Sequence, residues 1–200
     1  MSGRIFITAD THFGHAEALG KFERPFPDVD AMDDALVAGI NGVVAADDLL
    51  YHLGDFTGPL PKGVSKTDHA VSIRERLACR RIILVRGNHD PRNSPAFDDL
   101  FDSVHDLLSF RGWSGDGGGG DHRVVLCHYG LRVWQGRRDG SLHVHGHTHG
   151  TLPEVGRSTD VGVDCWNFRP QPLGEVLAML EGREPGMPEV RSPIQPVRGN

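Results

Sequence analysis

The chain is 200 residues long, 38% hydrophobic and 24% charged, with a formal charge of −6. That size suits one globular domain with a sizeable core, and the acidic balance excludes a general electrostatic grip on nucleic acid. Cys79, Cys127 and Cys165 are too few and too scattered for a disulfide framework, so they read as buried thiols of a reducing compartment.

In chain order, the apolar run Ile5-Phe6-Ile7 reads as a buried strand that delivers Asp10 at its end. This opening run is too short for a signal peptide or a membrane span, and a soluble cytoplasmic protein is expected. Leu36, Ile40, Val43 and Val44 share a face, which predicts a helix within Asp30 to Asp47. Leu49 to Leu53 is a second strand, running into Gly54-Asp55. Val71, Leu77 and Ala78 suggest a helix before the strand Arg81 to Val85, which runs into Gly87-Asn88-His89-Asp90. The first half therefore reads β-α-β-α-β.

In the second half, Val104 to Arg111 and His122 to Cys127 are predicted strands joined by Gly112 to Asp121, a glycine-rich connector expected to be a mobile hairpin loop. Strands at Leu142 to His145 and Ser158 to Asp164 follow. Leu173, Val176, Leu177 and Leu180 then form the stripe of a closing helix. Residues 1–182 are expected to form the domain, with 183–200 a proline-rich tail outside the core.

Five polar clusters fall just beyond these strands: Asp10-Thr11-His12, Gly54-Asp55, Gly87-Asn88-His89-Asp90, Cys127-His128 and Gly146-His147-Thr148-His149. Strand ends are where open α/β sheets commonly bind ligands. The clusters supply oxygen and imidazole ligands for two divalent cations. Asp10, His12 and His149 suit one ion and Asn88, His128 and His147 the other, with Asp55 as the bridge. Two such cations activate water and clamp a phosphate ester. With only two carboxylates among its ligands, the loaded site stays positive towards an anionic ester. His89 is the candidate general acid, with Asp90 expected to orient it and raise its pKa.

As a set, these clusters resemble the calcineurin-like metallophosphoesterases, whose pattern is Asp-x-His, Gly-Asp, Gly-Asn-His-Asp/Glu, a lone His and Gly-His-x-His. The resemblance spans Arg4 to Leu180. It implies an α/β fold of two mixed β-sheets packed as a sandwich and flanked by helices, and the ligand set just given. Within the family the chain is similar to small bacterial and phage phosphoesterases, through Asp10 to His15 and Val161 to Asp164. Phe56-Thr57-Gly58 lacks the Asp-Arg of the phosphoprotein phosphatases, which argues against phosphoprotein substrates.

His15 and Arg132 are candidate phosphate contacts. Arg24, Arg86, Arg137 and Arg138 read mainly as solvated charges, Phe13 and Trp134 as packing aromatics, and His143 and His145 as supporting or surface histidines. Cys127 and Cys165 read as small core residues.

The expectation is hydrolysis of a small phosphodiester, or of a phosphomonoester, by a metal-bound hydroxide with His89 as proton donor. Manganese is the favoured metal, with Fe, Zn, Ni or Co as alternatives. Neither a membrane nor an extended nucleic-acid interface is expected. The competing readings are a nuclease, which would want a broad basic face, and a non-catalytic scaffold, which should have lost ligands; no ligand is missing here.

Overall fold

The computed structural model describes residues 3–115 and 118–186. Its first sheet contains β1 (Ile5–Thr8), β2 (Leu49–His52), β3 (Arg81–Val85), β4 (Ser103–His105) and β9 (Gln171–Pro172), in the order β4-β3-β2-β1-β9. Neighbours from β1 to β4 are parallel, and β9 runs antiparallel to β1. The second sheet contains β5 (Leu107–Gly115), β6 (Gly118–Cys127), β7 (Leu142–His145) and β8 (Ser158–Asp160) in that order. The β5–β6 pair is antiparallel, while β6, β7 and β8 are parallel.

Alternation along the strands builds two apolar layers. On β1, Phe6 joins Leu50, Ile82 and Leu84 beneath α2 (Val29–Asn41) and α3 (Lys66–Arg76). Its neighbour Ile7 faces the opposite way and meets Val124, Leu126, Leu142 and Val144 of the second sheet. Helix α5 (Leu173–Glu181) adds Leu173, Val176, Leu177 and Leu180 to this second layer and touches strands of both sheets. Short helices α1 (Ala18–Lys21) and α4 (Pro95–Asp98) complete the set. The expected fold of two mixed sheets with flanking helices is the observed one.

Several boundaries differ from the sequence expectation. The Asp28 carboxylate accepts from Ala31 N and caps α2, which stops at Asn41; Val43 and Val44 lie in the turn that follows. The buried face of α3 is Ala70 and Ile73, whereas Ala78 lies past its end and is exposed. The run Val104 to Arg111 is two strands in different sheets, with Asp106 between β4 and β5. The expected glycine-rich loop is largely paired: β5 and β6 continue to Gly115 and from Gly118. Residues 116 and 117, and tail residues 187–200, lie outside the described residues. Of the tail, Arg183 stays on the body of the fold, donating to Ser158 O and pairing with Glu154.

A candidate metal centre at the strand ends

Strands β1, β2 and β3 are parallel, and the parallel bridge from Ala9 to Gly162, just past β8, gives β8 and its parallel neighbour β7 the same direction, so the segments that follow their C-terminal ends meet in one cleft of about 530 Å³. His12, Asp55, Asn88, His89, His147 and His149 line it, together with Lys21 and Phe22. Three groups of ligand atoms lie within 4.8 Å of one another: Asp10, His12 and His149; Asp55, His128 and His147; and His12, Asp55 and His89. The first is the predicted set for one ion. The second contains two of the three predicted for the other, with Asp55 beside them, and the third adds His89 to the same cluster.

The hydrogen bonds leave the inward lone pairs free. Asp10 Oδ2 accepts from His147 N at 2.8 Å, while Oδ1 is buried with no partner. His12 Nε2 is likewise buried and unpartnered. His128 places Nδ1 2.8 Å from Leu53 O, so in the neutral ring this nitrogen carries the proton and Nε2 is bare. That bare nitrogen lies 3.1 Å from Asn88 Oδ1 and 3.5 Å from Asp55 Oδ2. Asp55 Oδ1 accepts from His89 N, and Oδ2 also stands 3.4 Å from His12 Nε2. Bare acceptors gathered in a buried site repel one another unless a cation lies among them, so the donor set fits divalent metal ions.

The ionisation of the site agrees with this. Burial, reinforced by Asp160 and Asp55, drives the Asp10 carboxyl well above its ordinary value. Burial lowers His12 far below the usual imidazole range and also lowers His128. Neutral imidazoles are the ligand form.

Five of the seven predicted ligands, Asp10, His12, Asp55, His147 and His149, have left-handed backbone, with φ from 48° to 69°. Aspartate, asparagine and histidine tolerate this region better than most residues, yet it still costs free energy. The loops also approach one another closely. A Cβ on Gly87 would stand 2.2 Å from Asp55 Oδ1, and one on Gly146 would stand 2.4 Å from Asp10 Oδ2, so neither position admits a side chain.

Several residues behind the ligands escape a sequence reading. Arg24, read as solvated, is buried; it donates to Asp10 O and Thr11 O and forks onto Asp164. Asp164 accepts from His149 Nδ1 at 2.7 Å. Burial alone would raise the Asp164 carboxyl, but the hydrogen bonds from His149 and Arg24 hold it below its ordinary value. Phe22 stacks on His149 with ring centroids 3.5 Å apart. Asp160 accepts from Thr148 Oγ1 and from Gly150 N and Gly162 N, which fastens the loop carrying His147 and His149.

His89 is partly exposed in the cleft, and Lys66 Nζ donates to its carbonyl. Asp90 does not orient it. The Asp90 carboxylate accepts from Asp55 N, Phe56 N and Gly87 N, and so ties the Gly54-Asp55 segment to the Gly87 turn. Nor is the His89 pKa raised: burial lowers it, against the opposing pull of Asp55. His15 is buried beside His12, with their Nδ1 atoms 3.2 Å apart, and is not among the residues that line the cleft. Arg132 lies on a neighbouring cavity, not on the metal cleft.

His143 and His145 are buried rather than at the surface; His143 bonds Val125 O and Leu131 N, stacks on His145 and lies tilted against Trp134. Phe13 packs on Phe56 in the core, as expected. Cys165 is exposed rather than a core residue.

A family model for calcineurin-like phosphoesterases matches residues 3–169. An uncharacterized protein of Methanocaldococcus jannaschii is 26% identical over 187 residues, covering 89% of this chain and 92% of its own length. The gene 66 protein of Mycobacterium phage L5 is 30% identical over 185 residues, covering 80% and 86%. Among solved structures, a protein of unknown function from Aquifex aeolicus superposes with a TM-score of 0.65 at 21% identity, covering 88% of this chain and 99% of its own. With the family model spanning strands β1 to β8 and every one of the candidate ligand loops, and the strand ends bringing those candidate ligands together, the chain belongs to the calcineurin-like phosphoesterases and is a hydrolase of phosphoric esters.

Proposed function

We propose that the chain is a dinuclear metal-dependent phosphodiesterase acting on a small ester. Asp10, His12 and His149 would hold one cation and Asn88, His128 and His147 the other. The observation that carries this reading is the buried Asp55 carboxylate, whose Oδ2 faces His12 Nε2 and His128 Nε2, one imidazole from each group. Divalent ions held there would supply Lewis acidity towards water and a phosphoryl oxygen. Manganese suits the oxygen and imidazole donors.

The chain's own groups supply the rest. Backbone N–H groups of His89 and His147 orient Asp55 and Asp10. His89 lines the open side of the cleft and in this reading protonates a departing alkoxide, an assistance that matters most for the poor leaving groups of diesters. Lys21 adds positive charge at the rim. The free thiols of Cys79, Cys127 and Cys165 fit a reducing cytoplasm, and among the described residues no helix is long and apolar enough to cross a membrane.

The test is metal content together with turnover: protein loaded with manganese should hold two ions per chain and cleave bis(p-nitrophenyl) phosphate faster than p-nitrophenyl phosphate. One ion at saturation, or a monoester preference, would refute the corresponding part of the reading.

A further inference from the structure

Leu152 lines two cavities. One is the metal cleft; the other, of about 340 Å³, is walled by Leu131, Trp134, Leu152 and Val155 and carries Arg132 and Arg137. Leu152 and Val155 are 46% and 54% exposed, so apolar surface faces solvent directly beside the cleft.

The charge of this second cavity is unbalanced. Its carboxylate, Glu154, is already engaged by Arg183 at 2.6 Å and by the Thr159 hydroxyl. Among the described residues neither Arg132 nor Arg137 has a carboxylate partner. Arg137 is only 7% exposed; it lies 5.0 Å over the Trp134 ring and donates to Gly186 O, while its Nε finds no acceptor. A guanidinium held this deep without a counter-charge is costly unless an anion completes it.

From this we infer that the second cavity is a subsite for a nucleoside monophosphate unit of the substrate, its ring against the apolar walls and its phosphate on Arg132 and Arg137. This extends the phosphodiesterase reading and rests on it: the ester would be a dinucleotide-sized diester lying across Leu152, its scissile phosphate in the metal cleft. Arginine forks suit phosphate oxygens, and flat apolar walls suit a base. The volume is near the lower end for small-molecule sites, about 300–1,000 Å³, which suits one nucleotide and not a strand.

The subsite can be tested apart from catalysis. Thymidine 5′-monophosphate is titrated calorimetrically into metal-free protein, with the fold checked by circular dichroism, so that no cation competes for the phosphate. Saturable binding is expected, weaker by about tenfold with Arg132→Ala and with Val155→Trp, which fills the cavity; thymidine and inorganic phosphate should each bind more weakly. In metal-loaded protein both substitutions should cut kcat/KM for a 5′-phosphorylated thymidine dinucleotide by about tenfold more than for methyl p-nitrophenyl phosphate. No saturable binding, or binding indifferent to both substitutions, would overturn the subsite and leave the phosphodiesterase reading standing. Binding seen only in a chain ending at Gly186 would overturn it too, by assigning the cavity to residues 187–200. Intact nucleotide binding with no turnover of either ester would instead sink the phosphodiesterase reading, and the substrate role with it.

Discussion

Asp164 accepts a 2.7 Å hydrogen bond from Nδ1 of His149, and this contact fixes which nitrogen of His149 faces the cleft. With the proton held on Nδ1, Nε2 is left bare for a metal. Arg24 anchors Asp164 from behind through Nε and Nη2, and the same guanidinium grips the carbonyls of Asp10 and Thr11. One buried guanidinium thus braces candidate ligands from opposite ends of the sequence.

Asp164→Asn should therefore weaken metal binding without unfolding the chain. Loss of such a partner behind a metal-bound histidine typically costs roughly 10- to 100-fold in affinity. Competition with a chelator reads the affinity, and circular dichroism reads the fold; unchanged affinity would show that Asp164 does not set the ring.

Asp55→Asn is expected to do more damage than His12→Ala, because a bridging carboxylate at the proposed position would bear on both ions and offset their repulsion. Elemental analysis should find less than one ion per chain in the first variant and about one in the second. Two tightly held ions in Asp55→Asn would place the bridge elsewhere.

His89 and Asp90 are adjacent in sequence yet should fail differently. His89→Ala is expected to keep both metals and slow a poor leaving group by roughly 10²- to 10⁴-fold, with a much smaller defect for p-nitrophenolate. Asp90→Ala strands three buried backbone N–H groups, at about 1–3 kcal/mol for each one left unsatisfied, so it should lower the melting temperature and slow all esters alike. A leaving-group dependence in Asp90→Ala, or none in His89→Ala, would reverse these roles.

Far from the cleft, Asp48 offers a pH-linked contact. Its carboxylate receives Arg4 N, the Arg4 guanidinium and Ala45 N. Burial pushes its pKa up, but these bonds prevail and hold it below the ordinary carboxylate value. In this window the unfolded chain binds the proton more readily, so the contribution is present above the unfolded pKa of about 3.9 and is lost as pH falls through the folded value. Unfolding titrations between about pH 5 and pH 2 should show an acid limb that shrinks in Asp48→Asn. An identical limb in both proteins would exclude Asp48 as its source.

That the candidate ligands would meet was readable because each is a short polar cluster closing an apolar run, and a parallel sheet gathers such ends on one side. The brace was not. Arg24 and Asp164 meet across 140 positions, and nothing local to either marks a buried ion pair. Asp90 misled for a related reason: adjacency to His89 suggested partnership, whereas its carboxylate turns inward to backbone donors, which leave no trace in sequence. The division of Val104 to Arg111 between two sheets was equally hidden, since the pattern gives a strand's period but not which neighbour it pairs with.

The left-handed backbone at Asp10, His12, Asp55, His147 and His149 sets durability against activity in this chain. Glycine adopts that conformation without steric cost, so replacement at any of the five should relieve local strain while deleting a candidate ligand. A population of variants screened only for heat resistance would be drawn towards glycine there and would shed its metals. Only a screen that also demands turnover would keep the five in place.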